Sequence, residues 1–247
     1  MINSILKYCY EQGWSSIIYN AGAIGAIVFQ LFFLIFYRKK YDISLKKFVI
    51  LFSISTPLQY FSMFFLAWVE NGFQNWGANN IVRSFVYFPL FFALAAKVAK
   101  VPAGKVIDFA APSQALNQAI GHIVCPFAGC CQGYICSWGI WNPITNERHF
   151  PNQWLECLVA LVIGLFLFYL AKRENYAGTG KIYALFLVTF GGTRFLLEFF
   201  RDNNKLFLGI SNLALHALFM AFVGAVWLIV LSEMDKQQKL KHKKIRQ

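Results

Sequence analysis

The sequence predicts an all-α integral membrane protein with seven transmembrane helices, its N-terminus outside and its C-terminus cytoplasmic. Three observations carry that expectation. Apolar residues make up 58% of the 247 positions and charged residues only 14%, too few to cover a water-soluble domain of this size. The apolar residues fall into seven long runs, each near the roughly 20 residues a helix needs to cross a bilayer. Lys and Arg gather in every second connection, the asymmetry that places basic loops in the cytoplasm.

Each run has its own boundary signals. The first, 17–37, closes on Arg38, Lys39 and Lys40 rather than on a small-residue cleavage site. With Glu11 upstream of it, no cleavable signal peptide is expected. The second, 48–69, starts after Lys46 and Lys47; the third, 81–98, has Arg83 near its start and Lys97 and Lys100 at its end. The fourth, 106–124, follows Lys105 and runs into a long loop. The fifth, 154–170, has Pro151 suited to a helix start and Trp154 suited to the interface. Lys172, Arg173 and Lys181 separate it from the sixth, 182–197, and the seventh is 208–231.

A tail with Lys236, Lys239, Lys241, Lys243, Lys244 and Arg246 completes a set holding 17 of the 23 basic residues. The opposite connections hold Lys7, Arg83, Arg148, Arg201 and Lys205, and Arg194 sits inside a run. The expected organisation is therefore one seven-helix membrane domain over 1–235 with an outward loop, 125–153, followed by a basic cytoplasmic tail, 236–247. The net charge of +12 needs only anionic headgroups as partner. The tail lacks aromatic interleaving and any nucleic-acid module, so membrane lipids and not nucleic acid are expected there.

Of the six cysteines, Cys125, Cys130, Cys131 and Cys136 crowd the long loop. Small buried residues, an extracytoplasmic disulfide and a reactive thiol pair all remain open. Vicinal Cys130–Cys131 is a strained pairing, and Cys125 or Cys136 with one of them is easier. Metal binding, with His122 and His149 nearby, is the weakest reading, and no metal or cofactor is expected.

Polar residues collect in two further places. GHIVCPFAGCCQG, 121–133, contains Gly129 and Gly133, which permit tight turns or close backbone approach to a ligand. Its continuation HFPNQWLE, 149–156, brings Asn152, Gln153 and Glu156 into the fifth run. GGTRFLLEFFRDN, 191–203, puts Arg194 and Glu198 four apart on one helix face, with Arg201 beyond. Charges near a membrane interior are costly unless paired or functional. An Arg194–Glu198 or Arg194–Glu156 ion pair joining helices is one reading. The other, favoured by His122, Gln153 and Glu156 at the same expected depth, is an Arg194 clamp on an anionic lipid phosphate, oriented by Glu198.

These segments resemble the prolipoprotein diacylglyceryl transferase family. The family pattern G-R-I-G-N-F-x-N-G-E-x-x-G is similar to 121–133, H-P-S-Q-L-Y-E to 151–156, and Y-G-x-x-R-F-x-x-E-F-x-R to 190–201. The departures are specific: the family's first-motif arginine falls on His122, its asparagine on Cys125 and its last-motif tyrosine on Phe190. The H-G-G-L segment has no match, and Tyr87 and Pro89 stand nearest.

The resemblance implies transfer of a diacylglyceryl group from phosphatidylglycerol to a cysteine thiol of a lipoprotein precursor, in the outer leaflet of a bacterial cytoplasmic membrane. On that reading Arg194, His122 and Glu156 are catalytic, with His122 supplying charge or a base. Gln153, Asn152, Glu198, Arg201, Gly129 and Gly133 bind substrate. A transferase with a different acceptor, a non-enzymatic lipid-binding or transport protein, and membrane thiol redox chemistry are the alternatives.

Overall fold

The computed structural model describes residues 1–74, 81–173, 176–201, 205–207 and 210–245; the side chains of 205–207, 239 and 242–245 are not part of that description. Leu208 at the start of the seventh expected run, Asn203 at the end of the last motif and Arg246 in the tail lie outside it. The chain begins with α1 (Ile2–Glu11) and α2 (Ser15–Tyr37), which continues into one 3₁₀ turn, Arg38–Tyr41. Ser44 then caps α3 (Leu45–Glu70), its hydroxyl accepting from the Lys47 amide. There follow α4 (Ile81–Ser84), α5 (Phe88–Ala99) and α6 (Ala103–Ala128), then a hairpin of β1 (Ile135–Trp141) with β2 (Arg148–His149). Helices α7 (Asn152–Leu170) and α8 (Lys181–Glu198), a small β3 (Lys205–Phe207)–β4 (Ile210–Ser211) ladder and α9 (Asn212–Ile245) complete it.

The expectation of seven transmembrane helices is overturned. Among the described residues four helical segments are long and apolar enough to cross a membrane: Ser15–Tyr41, Leu45–Glu70, Asn152–Leu170 and Asn212–Gln238. The third apolar run is broken between α4 and α5, and the 12 residues of α5 reach only about 18 Å, against a hydrocarbon core of about 30 Å. The fourth run became α6, whose length is sufficient but which carries Asp108, Ser113, Gln114, Asn117, Gln118 and His122. The sixth became α8, 18 residues that include Lys181, Arg194 and Glu198. Apolar runs separated by polar loops do not distinguish a lipid-facing helix from one packed inside a bundle. Helix α6 is of the second kind, buried all round from Val106 to Leu116 and packed against α2, α5, α7 and α8.

Side-chain contacts define the two ends of this bundle. At one end Lys47 donates to the Lys100 carbonyl, Lys105 pairs with Asp42, and Lys181 pairs with Asp235. Fully buried Asp108 accepts from the amides of Gly180, Ile182 and Tyr183, satisfying the free N–H groups that open α8. A cluster of Phe85, Tyr183, Phe186 and Phe190 in edge-to-face contact, with the Tyr183 hydroxyl donating to the Phe85 carbonyl, fixes α8 along its length. A Cβ at Gly191 would lie 2.7 Å from the Ala217 carbonyl, so the absence of a side chain there lets α8 and α9 approach closely. At the other end α1 lies on the hairpin, Asn3 bonding Gly139 and Trp141 while Leu6 packs with Ile140 and Trp141.

Candidate functional site

The polar residues of three helices converge at the hairpin end. Glu156, on the first turns of α7 and only 4% exposed, is the hub. Its Oε1 accepts from Asn152 Nδ2 at 2.7 Å, Arg194 Nη1 at 2.6 Å and Arg201 Nη2 at 2.7 Å; its Oε2 accepts from Arg201 Nη2 at 2.8 Å and meets His122 Nε2 at 3.1 Å. Glu198 forms a second pole. Its Oε2 lies 3.1 Å from Arg194 Nη2 and 3.7 Å from Arg201 Nε, while its Oε1 accepts from Ser211 Oγ at 3.0 Å. Two guanidinium and two carboxylate groups thus interlock in one buried cluster. Burial opposes the charge on Arg201, but Glu156, Cys131 and Glu198 around it carry its pKa above the ordinary value.

Arg201 lies beyond α8, and backbone pairing holds it there. Gly133 bridges to it, and the Tyr134 amide donates to the Phe200 carbonyl at 3.0 Å. Tyr134, Phe150 and Phe200 stack beside this seam. A Cβ on Gly133 would sit 2.6 Å from the Phe200 carbonyl and 2.8 Å from Phe150 Cβ, so this glycine serves the seam itself. Gly129 ends α6 in the left-handed conformation at φ 64°, its carbonyl accepting from Asn142 Nδ2.

The thiols form one wall. Cys125, one turn past His122 on α6, has its Sγ 3.6 Å from His122 Nδ1, and Cys130 Sγ lies 3.7 Å from the Cys125 carbonyl. Cys131 adopts φ 60°, a left-handed conformation that costs a non-glycine residue roughly 1–2 kcal/mol. Hydrogen bonds from the Cys125 and Cys130 thiols, opposed by burial and helped by His122 and Arg201, hold the Cys131 thiol well below the usual thiol range.

A cavity of about 400 Å³ opens against these groups. Arg194, Arg201, His122, Cys125, Cys130 and Cys131 line it, whereas Glu156 and Glu198 stand behind the arginines. The wall thus presents cations and thiols, with their counter-charges withdrawn from the surface.

Of the expected site residues, the structure brings together His122, Asn152, Glu156, Arg194, Glu198 and Arg201, with Cys125, Cys130 and Cys131 adjoining. Gln153 is buried, but its Oε1 makes no hydrogen bond among the described residues. Cys136 stands on β1, and all six cysteines are free. His149 is structural, donating through Nδ1 to the Gly133 carbonyl and accepting through Nε2 from Thr145.

Sequence reasoning missed the polar lining further along the cavity: Gln30, Gln59, Gln114, Asn117 and Gln118. Gln30 donates to Ser113 and Gln114 to Gln59, tying α2 and α3 to α6. The available signal was amide side chains inside otherwise apolar runs, where an unpaired polar group is costly.

Comparison with known proteins points the same way. Residues 10–230 match the family model for prolipoprotein diacylglyceryl transferase. Curated proteins named phosphatidylglycerol–prolipoprotein diacylglyceryl transferase are similar over shorter stretches. One from Dehalococcoides mccartyi is 28% identical over 142 residues, 54% of each chain. One from Clostridium tetani is 28% identical over 108 residues, 41% of this chain and 43% of its own. Another from Paracidovorax citrulli is 28% identical over 203 residues, 78% of this chain and 66% of its own. The chain spans about half the length of the first of these relatives.

Proposed function

The chain belongs to the prolipoprotein diacylglyceryl transferase family, a multi-pass membrane protein group, and from that premise we propose that it moves a diacylglyceryl group from phosphatidylglycerol to a cysteine thiol of a lipoprotein precursor. The acceptor sulfur attacks the glyceryl carbon that carries the phosphate ester. An S–C bond forms, the C–O bond to phosphate breaks, and glycerol phosphate leaves with the bonding pair. The reaction needs cations where that charge develops and a group that strips the thiol of its proton.

The observation that carries this reading is the two-layered wall. Arg194 and Arg201 face the cavity, with Glu156 and Glu198 holding them from behind. The arginines receive the phosphate and the departing glycerol phosphate, with Glu198 orienting Arg194. Thiol activation falls to His122, whose Nε2 is held by the Glu156 carboxylate and whose Nδ1 turns toward the cysteines. Asn152 steadies Glu156, and Gln153, Gly129 and Gly133 shape the surroundings. The basic connections gather at the end opposite this site, an asymmetry that supports a site facing the outer leaflet of a bacterial cytoplasmic membrane, with the basic extension of α9 toward anionic headgroups on the other side.

The test is purified protein in nanodiscs with headgroup-labelled phosphatidylglycerol and a cysteine-containing precursor peptide. Release of labelled glycerol phosphate in step with a diacylglyceryl mass gain on the peptide is expected, and neither with a peptide in which serine replaces the cysteine (the serine peptide). Arg194→Ala should reduce turnover at least a hundredfold in folded protein. Undiminished turnover in that variant overturns the phosphate assignment. A second reading, a different acceptor, rests on the replacement of the family's first-motif arginine and asparagine by His122 and Cys125. Glycerol phosphate release without peptide modification supports it.

A further inference from the structure

We infer that His122, Cys125 and Cys131 form a Zn²⁺ site whose fourth position opens into the cavity. The donor atoms of these three residues lie within 4.8 Å of one another. A tetrahedral site with bonds of about 2.0–2.3 Å sets its donor pairs roughly 3.3–3.8 Å apart. Cys125 Sγ and His122 Nδ1 already meet that spacing at 3.6 Å, and side-chain rotation of about 1 Å closes the widest pair. One imidazole and two thiolates are a donor set that Zn²⁺ takes readily, and two thiolates neutralise its charge in a buried wall.

A second observation, independent of the spacing, separates this from a chance meeting of small side chains. The other nitrogen of His122 is held by a buried carboxylate, Glu156 Oε2, at 3.1 Å. A carboxylate accepts only from N–H, so Nε2 carries the proton and Nδ1 offers its lone pair toward the thiols. That is the carboxylate–imidazole arrangement that orients metal-bound histidines. The backbone contributes too: Gly129 and Cys131 both hold positive φ, 64° and 60°, folding the chain back after α6 so that Cys131 meets Cys125 and His122, which precede it on that helix. His122 and Cys125 occupy the positions where the resemblance placed the family's arginine and asparagine, so the substitutions are a matched pair rather than two separate losses.

This deepens the reading above and rests on it for what the fourth position holds. With Nδ1 on the ion, His122 activates the acceptor thiol through the metal and not as a free base: the incoming thiol would bind there as thiolate, its proton released to water, before its sulfur attacks the lipid carbon. The resulting thioether carries no charge, so the ion holds it weakly and it can leave the fourth position.

The experiment uses the reduced full-length protein in nanodiscs, titrated anaerobically with Co²⁺ as the spectroscopic probe and back-titrated with Zn²⁺. One equivalent per chain with intense tetrahedral d–d bands and a thiolate-to-cobalt charge-transfer band is expected, lost on adding Zn²⁺. Cys125→Ser and Cys131→Ser should each weaken binding at least a hundredfold, while Cys130→Ser, Cys136→Ser and Cys157→Ser retain it. Absence of the charge-transfer band in unaltered protein, or its survival in both Cys125→Ser and Cys131→Ser, overturns the site. Adding the cysteine peptide should raise the charge-transfer intensity and the serine peptide should not; no difference overturns the open fourth position. Because binding is read by absorption and not by turnover, a metal site without lipid transfer would refute the transferase and leave the ion in place. Transfer by metal-free protein at full rate would do the reverse to the thiolate role.

Discussion

Glu156→Gln tests the balance of the charged cluster most directly. The carboxylate is 4% exposed and accepts from Asn152, Arg194, Arg201 and His122. The amide keeps the shape but removes one negative charge, leaving two guanidinium groups, 6% and 9% exposed, facing Glu198 alone. Its NH₂ also confronts one of the former donors. Breaking a buried ion pair by removing one partner costs about 3–5 kcal/mol. For a chain of this size that lowers the apparent melting midpoint by on the order of 10 °C. An anionic headgroup in the cavity would replace the lost negative charge, so phosphatidylglycerol should rescue the variant more than it stabilises the native protein. Tenfold tighter binding adds about 1.4 kcal/mol by mass action. The assay is thermal unfolding in uncharged detergent, followed by tryptophan fluorescence across a phosphatidylglycerol titration, with phosphatidylcholine as control. An unchanged midpoint refutes the hub role of Glu156. A lowered midpoint that phosphatidylglycerol and phosphatidylcholine raise equally refutes the anion-receiving role of the arginines.

Three further outcomes are expected. Arg201→Lys should lose tenfold or more in phosphatidylglycerol turnover with a native-like midpoint, because an ammonium cannot reproduce the paired contacts to Glu156; equal turnover would show that charge alone suffices. Asp108→Ala should cost roughly 2–4 kcal/mol in thermal unfolding, since it strands three amides at the start of α8; a midpoint within a degree of native would contradict the capping role. Gly133→Ala should cost about 1–3 kcal/mol and reduce turnover, because the added methyl meets Phe200 and Phe150 and shifts Arg201; a fully active, equally stable variant would show that the seam does not position it.

Much of the site was legible because charges inside apolar runs are rare enough to stand out: Glu156, Arg194 and Glu198 announced themselves by position alone. Their motifs located Arg201 and His122 as well. The bundle was less legible, for a physical reason. Hydropathy measures how apolar a run is, and both lipid and a protein interior satisfy an apolar face. Helix α6 shows the confusion, since its Asp108, Gln114 and Ser113 find partners on α8, α3 and α2 respectively. The break before α5 and the amide-lined cavity depend on partners distant in sequence, which no local pattern exposes. The crowding of the loop cysteines was visible in the sequence, but which of them meet His122 was not, for a similar reason. A left-handed backbone at Cys131, which has no side-chain signature, brings it to His122 and Cys125.

The two readings of Arg194, an ion pair joining helices or a clamp for a lipid phosphate, are not exclusive once the geometry is known. Arg194 joins α8 to α7 through Glu156 and is tied to Glu198 one turn along its own helix, yet its guanidinium still lines the cavity. A guanidinium carries five donors, so two carboxylate contacts leave donors for a third anion. In a site of low polarity an uncompensated arginine would be too costly to fold, and one fully enclosed by carboxylates could not bind a phosphate. Placing the carboxylates behind and the cavity in front meets both requirements. The same arrangement lets His122 face two ways, one nitrogen to Glu156 and the other to the thiols. On the proposed function, stability and chemistry draw on one set of contacts, and for that reason the decisive measurement in Glu156→Gln is rescue by the anionic lipid rather than loss of stability alone.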